Sequence, residues 1–219
     1  MAQTKSEATA ERILNVALGL FRTKGFDETT MRDIAVAAEM ATGAAYHHFP
    51  SKDALVMAFY RRASEDLQPQ LEAALSDAKG LEQQLVALIR AKLEYFQRDR
   101  NVLRVLLKNG ADPEHPLSPF SRDTEEIRTV DMTWFHQVLA GVKLPKDLTP
   151  HLPDALWLYQ MGVIYFWVTD NSPGQRRTMR LLLASAKIVT WLIRLSSLPL
   201  SRPLRRPVIE LIQIVKGDS

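Results

Sequence analysis

Two adjacent histidines, His47 and His48, are the first side chains whose chemistry needs an explanation. They lie between Tyr46 and Phe49 in the stretch TGAAYHHFPSKDAL, residues 42–55. Imidazole nitrogens can bind a metal ion or act as a general base. Helical metal sites usually place two histidines four residues apart on one face, whereas adjacent helical residues diverge by roughly 100°. Because the chain also has no cysteine, the pair does not predict a metal site.

Short helices with tight turns between them must position these residues. Capping-box patterns begin at Thr4 and at Thr30, each before apolar residues at helical spacing. The first pattern predicts a helix that ends near Gly25, and the second predicts a much shorter helix. A third helix is expected over residues 42–48, followed by a long fourth helix from about residue 52 to 77.

Two short helices joined by a tight turn describe a helix-turn-helix. The second helix of such a pair can lie in the major groove of DNA, with hydroxyl, tyrosine and lysine groups on the phosphates around it. The same geometry also occurs in small three-helix cores that bind no DNA, so the pattern by itself leaves both interpretations open.

Residues 13–55 also resemble the N-terminal domain of the TetR/AcrR family of transcriptional regulators. The similar motifs are KGF after the first helix, T-x-R-D-I-A in the second, and G-x-x-Y-H-H-F-P-S-K-x-A-L from the third into the fourth. The resemblance implies an all-α fold, with an N-terminal three-helix helix-turn-helix DNA-binding domain joined through a long helix to a C-terminal helical ligand-binding and dimerisation bundle. It implies domains at residues 1–52 and 53–219.

The resemblance further implies which residues contact double-stranded DNA. The expected set comprises Thr30, Arg32, Thr42, Gly43, Ala44, Tyr46, His47, His48 and Lys52. Thr30 and Arg32 would touch the backbone or a base, and residues 42–44 would face the groove. Tyr46, His48 and Lys52 would hold phosphate groups.

Three residues around the turn depart from the family pattern. Glu39 stands where glycine is common, Ala41 where a serine-like cap is common, and Thr42 where lysine is common. The third helix is therefore short of polar groups, and its alanines offer only apolar contact, for instance to thymine methyl groups. Specificity would then depend on Arg32, on Thr42 and on DNA shape. Glu39 is expected to point away from the phosphates.

Composition narrows the remaining possibilities. The chain of 219 residues is 46% hydrophobic with only 9 glycines and lacks valine-rich alternating runs, which favours helices over a β-sandwich or an α/β fold. Its net charge of +3 weakly favours an anionic partner. Residues 171–209 hold eight basic residues and no acidic one, so this stretch forms either a second anion-binding surface or a solvated helix face.

Targeting and catalytic motifs are absent from the sequence. The polar N-terminus is unlike a signal peptide, and the most apolar run, residues 155–168, is too short to span a bilayer. A cytoplasmic protein without a membrane partner is therefore expected. Since the chain has no H-E-x-x-H, glycine-rich phosphate loop or nucleophile elbow, neither an enzyme nor a cofactor is predicted.

Two C-terminal helices are too apolar to be buried on one side only. In residues 155–168 only Gln160 is clearly polar, and in residues 178–195 three basic residues spaced by seven form one thin stripe. A central place in a monomeric bundle would bury both helices, as would an identical pair across a two-fold axis. The resemblance favours a homodimer through the helices Asp154–Asp170 and Gln175–Ser197.

The aromatic residues of the C-terminal region form either a core or the lining of a ligand cavity. The resemblance favours a cavity for a small-molecule effector. The expected effector-binding residues are Tyr95, Phe96, Leu103, Leu107, Trp134, His136, Trp157, Gln160, Met161 and Tyr165. Tyr95, His136 and Gln160 would orient a largely apolar or aromatic effector.

Together these features predict a ligand-responsive transcriptional repressor that binds an inverted-repeat operator as a dimer. The effector would favour a tilt of the fourth helix, which would change the separation of the two DNA-reading heads and release the operator. A protein of another class also fits the sequence: a small-molecule-binding helical protein whose alanine-rich third helix has lost specific DNA binding.

Overall fold

The computed structural model describes residues 4–109, 112 and 114–216, and this part of the chain contains helices and no strand, as predicted. The α-helices are α1 (Lys5–Thr23), α2 (Met31–Ala37), α3 (Thr42–His48), α4 (Lys52–Asp77), α5 (Gly80–Tyr95), α6 (Arg100–Asn109), α7 (Glu125–Leu139), α8 (Leu152–Thr169), α9 (Arg176–Ser196) and α10 (Arg202–Lys216). Single 3-10 turns occur at Phe96–Asp99, Pro173–Gln175 and Pro199–Ser201.

The chain divides into two compact units. The first comprises Met1–Asp66 and Gln97–Ile127, and the second comprises Leu67–Phe96 and Arg128–Ser219. Helix α4 therefore begins in the first unit and ends in the second. The predicted functional boundary after residue 52 lies near the start of α4 and stays a prediction.

In the first unit, α1 supplies much of the core. Its capping box is complete, with the Thr4 N–H donating to Glu7 Oε2 at 2.7 Å and the Glu7 N–H donating to Thr4 Oγ1 at 3.2 Å. The buried face follows helical spacing and comprises Ile13, Leu14, Ala17, Leu18 and Phe21. Gly25, at φ 97°, turns the chain out of the helix, so that Phe26 packs edge-on against Phe21 at 5.0 Å.

An ion pair between distant parts of the sequence closes the first unit. Arg22 Nε donates to Asp99 Oδ1 at 2.7 Å, and Arg22 Nη2 donates to Asp99 Oδ2 at 3.0 Å. The Asp99 side chain is only 6% exposed. This two-pronged pairing ties the last turn of α1 to the segment that leads into α6, because a buried carboxylate requires a charged partner.

In the second unit, α5, α8 and α9 pack against one another. The shared core is apolar and includes Leu85, Leu88, Ile89, Leu156, Trp157, Trp167, Leu182 and Ile193. Asp170 holds the start of α9, because its Oδ2 accepts from the Thr178 N–H at 2.9 Å and from the Thr178 hydroxyl at 2.8 Å. Over the described residues, no helix is long and apolar enough to cross a membrane.

Helix α9 also carries large apolar side chains on its solvent side. Ile188 is 59% exposed, Trp191 61% and Leu192 51%. These residues lie on a different face from the buried Leu182, Ala186 and Ile193, because a helix turns about 100° per residue. Helix α9 therefore has apolar residues on more than one face, and the expected burial of the second face stays a prediction.

Candidate nucleic-acid interface and a buried polar cluster

The turn between α2 and α3 is closed by backbone hydrogen bonds. The Met40 N–H donates to the Ala35 carbonyl at 3.0 Å, and the Glu39 N–H donates to the Val36 carbonyl at 3.0 Å. Glu39 itself has φ of 54°, in the left-handed region that favours glycine. The glutamate therefore carries backbone strain at the position where the family commonly has glycine.

Thr30 begins α2 with a capping box. Its hydroxyl oxygen accepts from the Asp33 N–H at 3.1 Å, and Asp33 Oδ2 accepts from the Thr30 N–H at 2.9 Å. Lys24 Nζ donates to the same carboxylate oxygen at 2.7 Å. The Lys24 ammonium, followed by the Thr30 N–H, lowers the pKa of Asp33 to about 2, so the cap is ionised at neutral pH. Any DNA contact made by Thr30 must coexist with this cap.

Helix α3 is anchored by Ala45, which is fully buried where α3 packs on α2. Of the predicted DNA-contacting residues, Thr30, Arg32, Gly43, Ala44, Tyr46 and His47 are exposed, whereas Thr42, His48 and Lys52 are half-buried. None of the nine is buried, and a residue must be accessible to contact DNA directly. Their individual contacts stay predictions.

Helix α3 begins without a side-chain cap. Ala41 has the extended backbone of an N-cap residue, with φ −66° and ψ 141°, but its methyl group cannot accept a hydrogen bond. Its carbonyl accepts from the Ala44 N–H at 2.9 Å and from the Ala45 N–H at 3.2 Å. The first turn thus lacks the acceptor that a serine would supply at this position.

Lys52, predicted to hold phosphate, already has internal acceptors. Its Nζ donates to the Phe26 carbonyl at 2.7 Å and the Asp27 carbonyl at 3.3 Å, and lies 4.5 Å from the centroid of the Phe26 ring. The lysine thereby ties the start of α4 to the turn after α1. Because carbonyl groups do not neutralise its charge, a phosphate contact stays a prediction beside this structural role.

The histidine pair does not converge on a common point. The rings of His47 and His48 have centroids 5.7 Å apart and planes inclined by 74°. Within the described residues, no group of three His, Cys, Asp or Glu side chains is close enough to hold a metal ion. The pair is therefore placed to act as separate polar groups at the end of α3.

The ten predicted effector-binding residues belong to both units. Leu103 and Leu107 lie on α6 in the first unit, and the other eight lie in the second. Leu103, Trp134, Trp157 and Gln160 are buried, Leu107, Tyr95, Phe96 and Met161 are half-buried, and His136 and Tyr165 are exposed. His136 lines a cleft of about 270 Å³, and Tyr165 is 58% exposed to solvent. An effector role for this set stays a prediction.

Lys92, Asp131 and Gln160 form a closed polar cluster inside the second unit. Lys92 donates to one Asp131 carboxylate oxygen and to Gln160 Oε1, the latter at 2.6 Å. Gln160 Nε2 donates to the other Asp131 oxygen at 2.7 Å. Burial lowers the pKa of Lys92, and the Asp131 carboxylate opposes that shift. The Asp131 side chain is 25% exposed, whereas that of Lys92 is 4% exposed.

The sequence-based prediction included Gln160 but missed Lys92 and Asp131. A signal for Lys92 was present, because it follows Leu85, Leu88 and Ile89 at the spacing of the apolar face of α5. A lysine at such a position needs a buried acceptor. No comparable signal marked Asp131, since an aspartate on α7 is equally compatible with a solvated face.

Comparison with protein families identifies the chain. A model of bacterial regulatory proteins of the tetR family matches residues 13–59, and a model of the tetracyclin repressor-like C-terminal domain matches residues 84–210, which is more than half of the chain. The chain belongs to the TetR family. This family consists of transcriptional regulators and not of enzymes.

Curated TetR-family relatives match over different lengths. CymR of Pseudomonas putida is 28% identical over 183 residues, covering 80% of this chain and 89% of that protein. UidR of Escherichia coli strain K12 is 25% identical over 112 residues, covering 51% of this chain and 57% of that protein. The transcriptional repressor KstR2 of Rhodococcus jostii is 30% identical over 93 residues, covering 42% and 46%. The chain thus spans little more than half the length of UidR.

Solved TetR-family structures confirm the fold. The regulator of Nitrosomonas europaea has a TM-score of 0.65 at 19% identity, covering 83% of this chain and 98% of that one. A regulator of Streptomyces coelicolor has a TM-score of 0.65 at 17% identity, covering 98% and 90%. GusR of Salmonella enterica has a TM-score of 0.63 at 21% identity, covering 87% and 98%. The predicted helix-turn-helix followed by a C-terminal helical domain is therefore confirmed.

Proposed function

We propose that the protein is a ligand-responsive repressor that binds an inverted-repeat operator as a homodimer and is released by a small, largely apolar effector. The observation that carries the proposal is the helix-turn-helix, in which α3 is anchored by buried Ala45 while the predicted contact residues of α3 remain accessible. Repression is supported by the description of the relative KstR2 as a repressor. Such a protein would act on DNA in the cytoplasm.

Sequence reading by this helix pair would rely heavily on Arg32. Between residues 25 and 51 it is the only lysine or arginine, and its side chain is exposed on the first turn of α2. A guanidinium can donate two hydrogen bonds to a guanine edge or bind a phosphate. Helix α3 adds the hydroxyl of Thr42 and the small surfaces of Gly43 and Ala44, so close backbone approach and DNA shape would supply the rest.

Dimerisation is supported by the exposed apolar surface of α9. Ile188 and Leu192, four residues apart, share a face with Leu181, which is 37% exposed. Trp191 borders them, and Tyr165 on α8 exposes 58% of its area. Contiguous apolar patches on soluble proteins usually mark interaction sites. A second copy that presents the same α8 and α9 surface would bury these residues through a two-fold interface.

Effector binding in the second unit is supported by the polar cluster of Lys92, Asp131 and Gln160. A buried site with a few fixed polar groups among aromatic side chains has the composition of a ligand-binding region. Gln160 is 2% exposed between Lys92 and Asp131, and Trp134 and Trp157 are also buried in this unit. A ligand that replaces one of the hydrogen bonds of Gln160 with a bond to itself would be oriented by that contact.

Helix α4 is the proposed route of the response, because it contributes residues to both units. Its start is fixed by Lys52, and Pro69 lies inside it, where a proline removes a backbone donor and favours a bend. An effector that binds a tilted form of α4 more tightly would lower operator affinity. A coupling of about 1–3 kcal/mol corresponds to roughly a 5–150-fold change in affinity.

Selection of bound sequences from random duplexes tests the DNA-binding part. An enriched inverted repeat is expected, and the absence of any enrichment at low salt, where phosphate contacts are strongest, would favour the alternative of a ligand-binding protein without an operator. Tyr46→Phe, which removes one hydroxyl, should weaken binding to all sequences alike. Arg32→Ala or Thr42→Ala should change the selected sequence as well.

A ligand screen tests the effector part. A panel of apolar and aromatic compounds is first ranked by the increase in melting temperature, and operator affinity is then measured with the strongest binder at saturation. Operator affinity should fall at least fivefold. Pro69→Ala, which favours a straight α4, should bind the compound but respond less. An operator affinity that does not change at saturation would contradict the proposed switch.

A further inference from the structure

Three arginines within five residues, Arg202, Arg205 and Arg206, begin α10 in the second unit. Arg202 and Arg205 line two clefts at once. The larger, of about 460 Å³, also contains Arg206 together with Asp147 and Glu210. The smaller, of about 220 Å³, is the more informative, because its charged residues are all basic.

The smaller cleft is built from three segments of the chain. Lys143, Leu144 and Pro145 come from the loop after α7, Ser197 and Pro199 follow α9, and Arg202 and Arg205 open α10. The Ser197 hydroxyl donates to the Lys143 carbonyl at 2.7 Å, which holds the loop against the end of α9. Three cations are thus placed around one concave site with no carboxylate in its lining.

Arg205 is held in this site by internal hydrogen bonds, but they do not involve all of its donor groups. Its Nη2 donates to the Ser196 carbonyl at 2.6 Å, and its Nη1 lies 3.4 Å from Asp147 Oδ1. The Arg205 side chain is 13% exposed, whereas that of Asp147 is 49% exposed. Its Nε is buried and has no hydrogen-bond partner among the residues that the structure describes. A buried donor without an acceptor is unfavourable, and here it belongs to a group whose charge is offset by a half-exposed carboxylate through one long contact.

We propose that the junction of α9 and α10 binds a small oxyanion, a phosphate or carboxylate group, in the cleft lined by Lys143, Arg202 and Arg205. Guanidinium groups bind such oxygens through paired, charge-assisted hydrogen bonds, and a lysine adds a point charge. The exposed side chains of Lys143 and Arg202 can close on the ligand without losing an internal contact. This inference is independent of the proposed operator and effector.

The site also explains a feature of the sequence that DNA binding does not. The basic stretch over residues 171–209 has no acidic residue, yet it belongs to the second unit, whereas α3 belongs to the first. Arg180, Lys187 and Arg194 form the solvated stripe of α9 and need no ligand. The arginines of α10 differ, because the chain folds them around a cleft and buries part of Arg205.

Equilibrium dialysis of the full-length protein against inorganic phosphate, and separately against citrate, tests the proposal at ionic strength held constant with chloride. The cleft variant is Lys143→Gln/Arg202→Gln, and the control is Arg61→Gln/Arg104→Gln, which removes the same charge from exposed positions in the first unit. Wild type and control should bind one anion per chain with equal affinity. The cleft variant should bind at least roughly tenfold more weakly, because two charged donors are lost.

A third arm separates a free anion from a lipid headgroup. Co-sedimentation with vesicles that contain an anionic phospholipid should show no binding that depends on Lys143 and Arg202. The proposal is overturned if neither phosphate nor citrate binds at millimolar concentration, or if the cleft variant binds as tightly as wild type. It is also overturned if only vesicles bind. Far-UV circular dichroism of both variants in chloride verifies that they are folded.

Discussion

Helices α3 and α9 present the two most informative exposed surfaces, and they are built in opposite ways. Helix α3 has 7 residues, one buried side chain and an exposed face made mainly of small groups. Helix α9 has 21 residues, and besides the face that it buries it exposes Ile188, Trp191 and Leu192. The surface of α3 has little side-chain area, whereas that of α9 has a large apolar area that the described residues leave exposed.

The difference shows how each surface can bind. A helix with little side-chain area depends on accurate backbone placement, and α3 obtains that from the capped start of α2, the strained turn at Glu39 and the lysine at position 52. A surface such as that of α9 gains free energy from apolar area alone, at roughly 25 cal/mol per Å². Changes in the two surfaces should therefore differ in size and in kind.

The largest expected effect is loss of the proposed dimer through α9. Ile188→Glu/Leu192→Glu places two carboxylates in the apolar face and should give a monomer, with operator affinity reduced roughly a hundredfold or more because the two half-sites are no longer bound together. Light scattering after size-exclusion chromatography gives the mass, and fluorescence anisotropy gives the affinity.

Lys187→Glu is the matched control for this experiment, since it changes the net charge by the same amount on the polar stripe of the same helix. It should remain dimeric and bind the operator within a few-fold of wild type. If both variants stay dimeric, α9 does not form the interface and the contrast between the two helices has another cause.

The next effect concerns the interior behind the α9 surface. Asp131→Asn removes the carboxylate that pairs with Lys92 and should lower the free energy of unfolding by about 3 kcal/mol, because the ammonium group would stay buried without this counter-ion. Urea denaturation followed by tryptophan fluorescence is a suitable measurement, since all four tryptophans lie in the second unit.

Asp77→Asn provides the reference for that measurement. It makes the same chemical change in the second unit, at an exposed residue on the last turn of α4. Exposed charges contribute about 0–1 kcal/mol, so this variant should unfold close to wild type. Equal losses in the two variants would contradict the special role of the buried cluster.

A smaller effect is expected from capping α3. Ala41→Ser supplies the missing acceptor and should stabilise α3 by about 1 kcal/mol, which corresponds to roughly fivefold slower hydrogen exchange of the amides of residues 42–48. Ala41→Val serves as the control, because valine supplies no acceptor side chain and is as poor a cap as alanine. If exchange slows in the serine variant but its operator preference does not change, the missing cap affects the stability of α3 and not the DNA sequence that α3 prefers.

The smallest effect is expected at the turn. Glu39→Gly relieves the left-handed strain at φ 54° but adds freedom to the unfolded chain, so the net gain should be under about 1 kcal/mol. Glu39→Ala removes the same carboxylate and keeps the strain. Thermal denaturation should therefore rank the glycine variant above the alanine variant, and the reverse order would show that the added freedom of the unfolded chain outweighs the relieved strain.

The two surfaces also differ in how well the sequence predicted them. Local patterns sufficed for the first: capping boxes located α1 and α2, the departures at Glu39 and Ala41 correspond to a left-handed residue and an uncapped helix, and α3 has the expected bounds. These features depend on residues a few positions apart, where sequence and geometry are directly linked.

Contacts between residues far apart in the sequence could not be predicted from such local patterns. The acceptors of Lys92 lie 39 and 68 residues away, at Asp131 and Gln160, and Arg22 meets Asp99 across 77 residues. Nothing in the spacing of one helix specifies which residue of another will face it. The same limit applies to Lys52, for which the resemblance implied a phosphate contact and the structure shows two backbone carbonyls as acceptors.

The chain order of the first unit has a consequence for biosynthesis. Its N-terminal segment ends at Asp66, yet Asp99 and the rest of its second segment are made only after Leu67–Phe96. At roughly 5–20 residues per second, a ribosome needs about 3–12 s to pass from Leu67 to Ile127. Arg22 has no access to Asp99 until residues 67–96 have been translated, so the first unit reaches its final packing only after that stretch has been made.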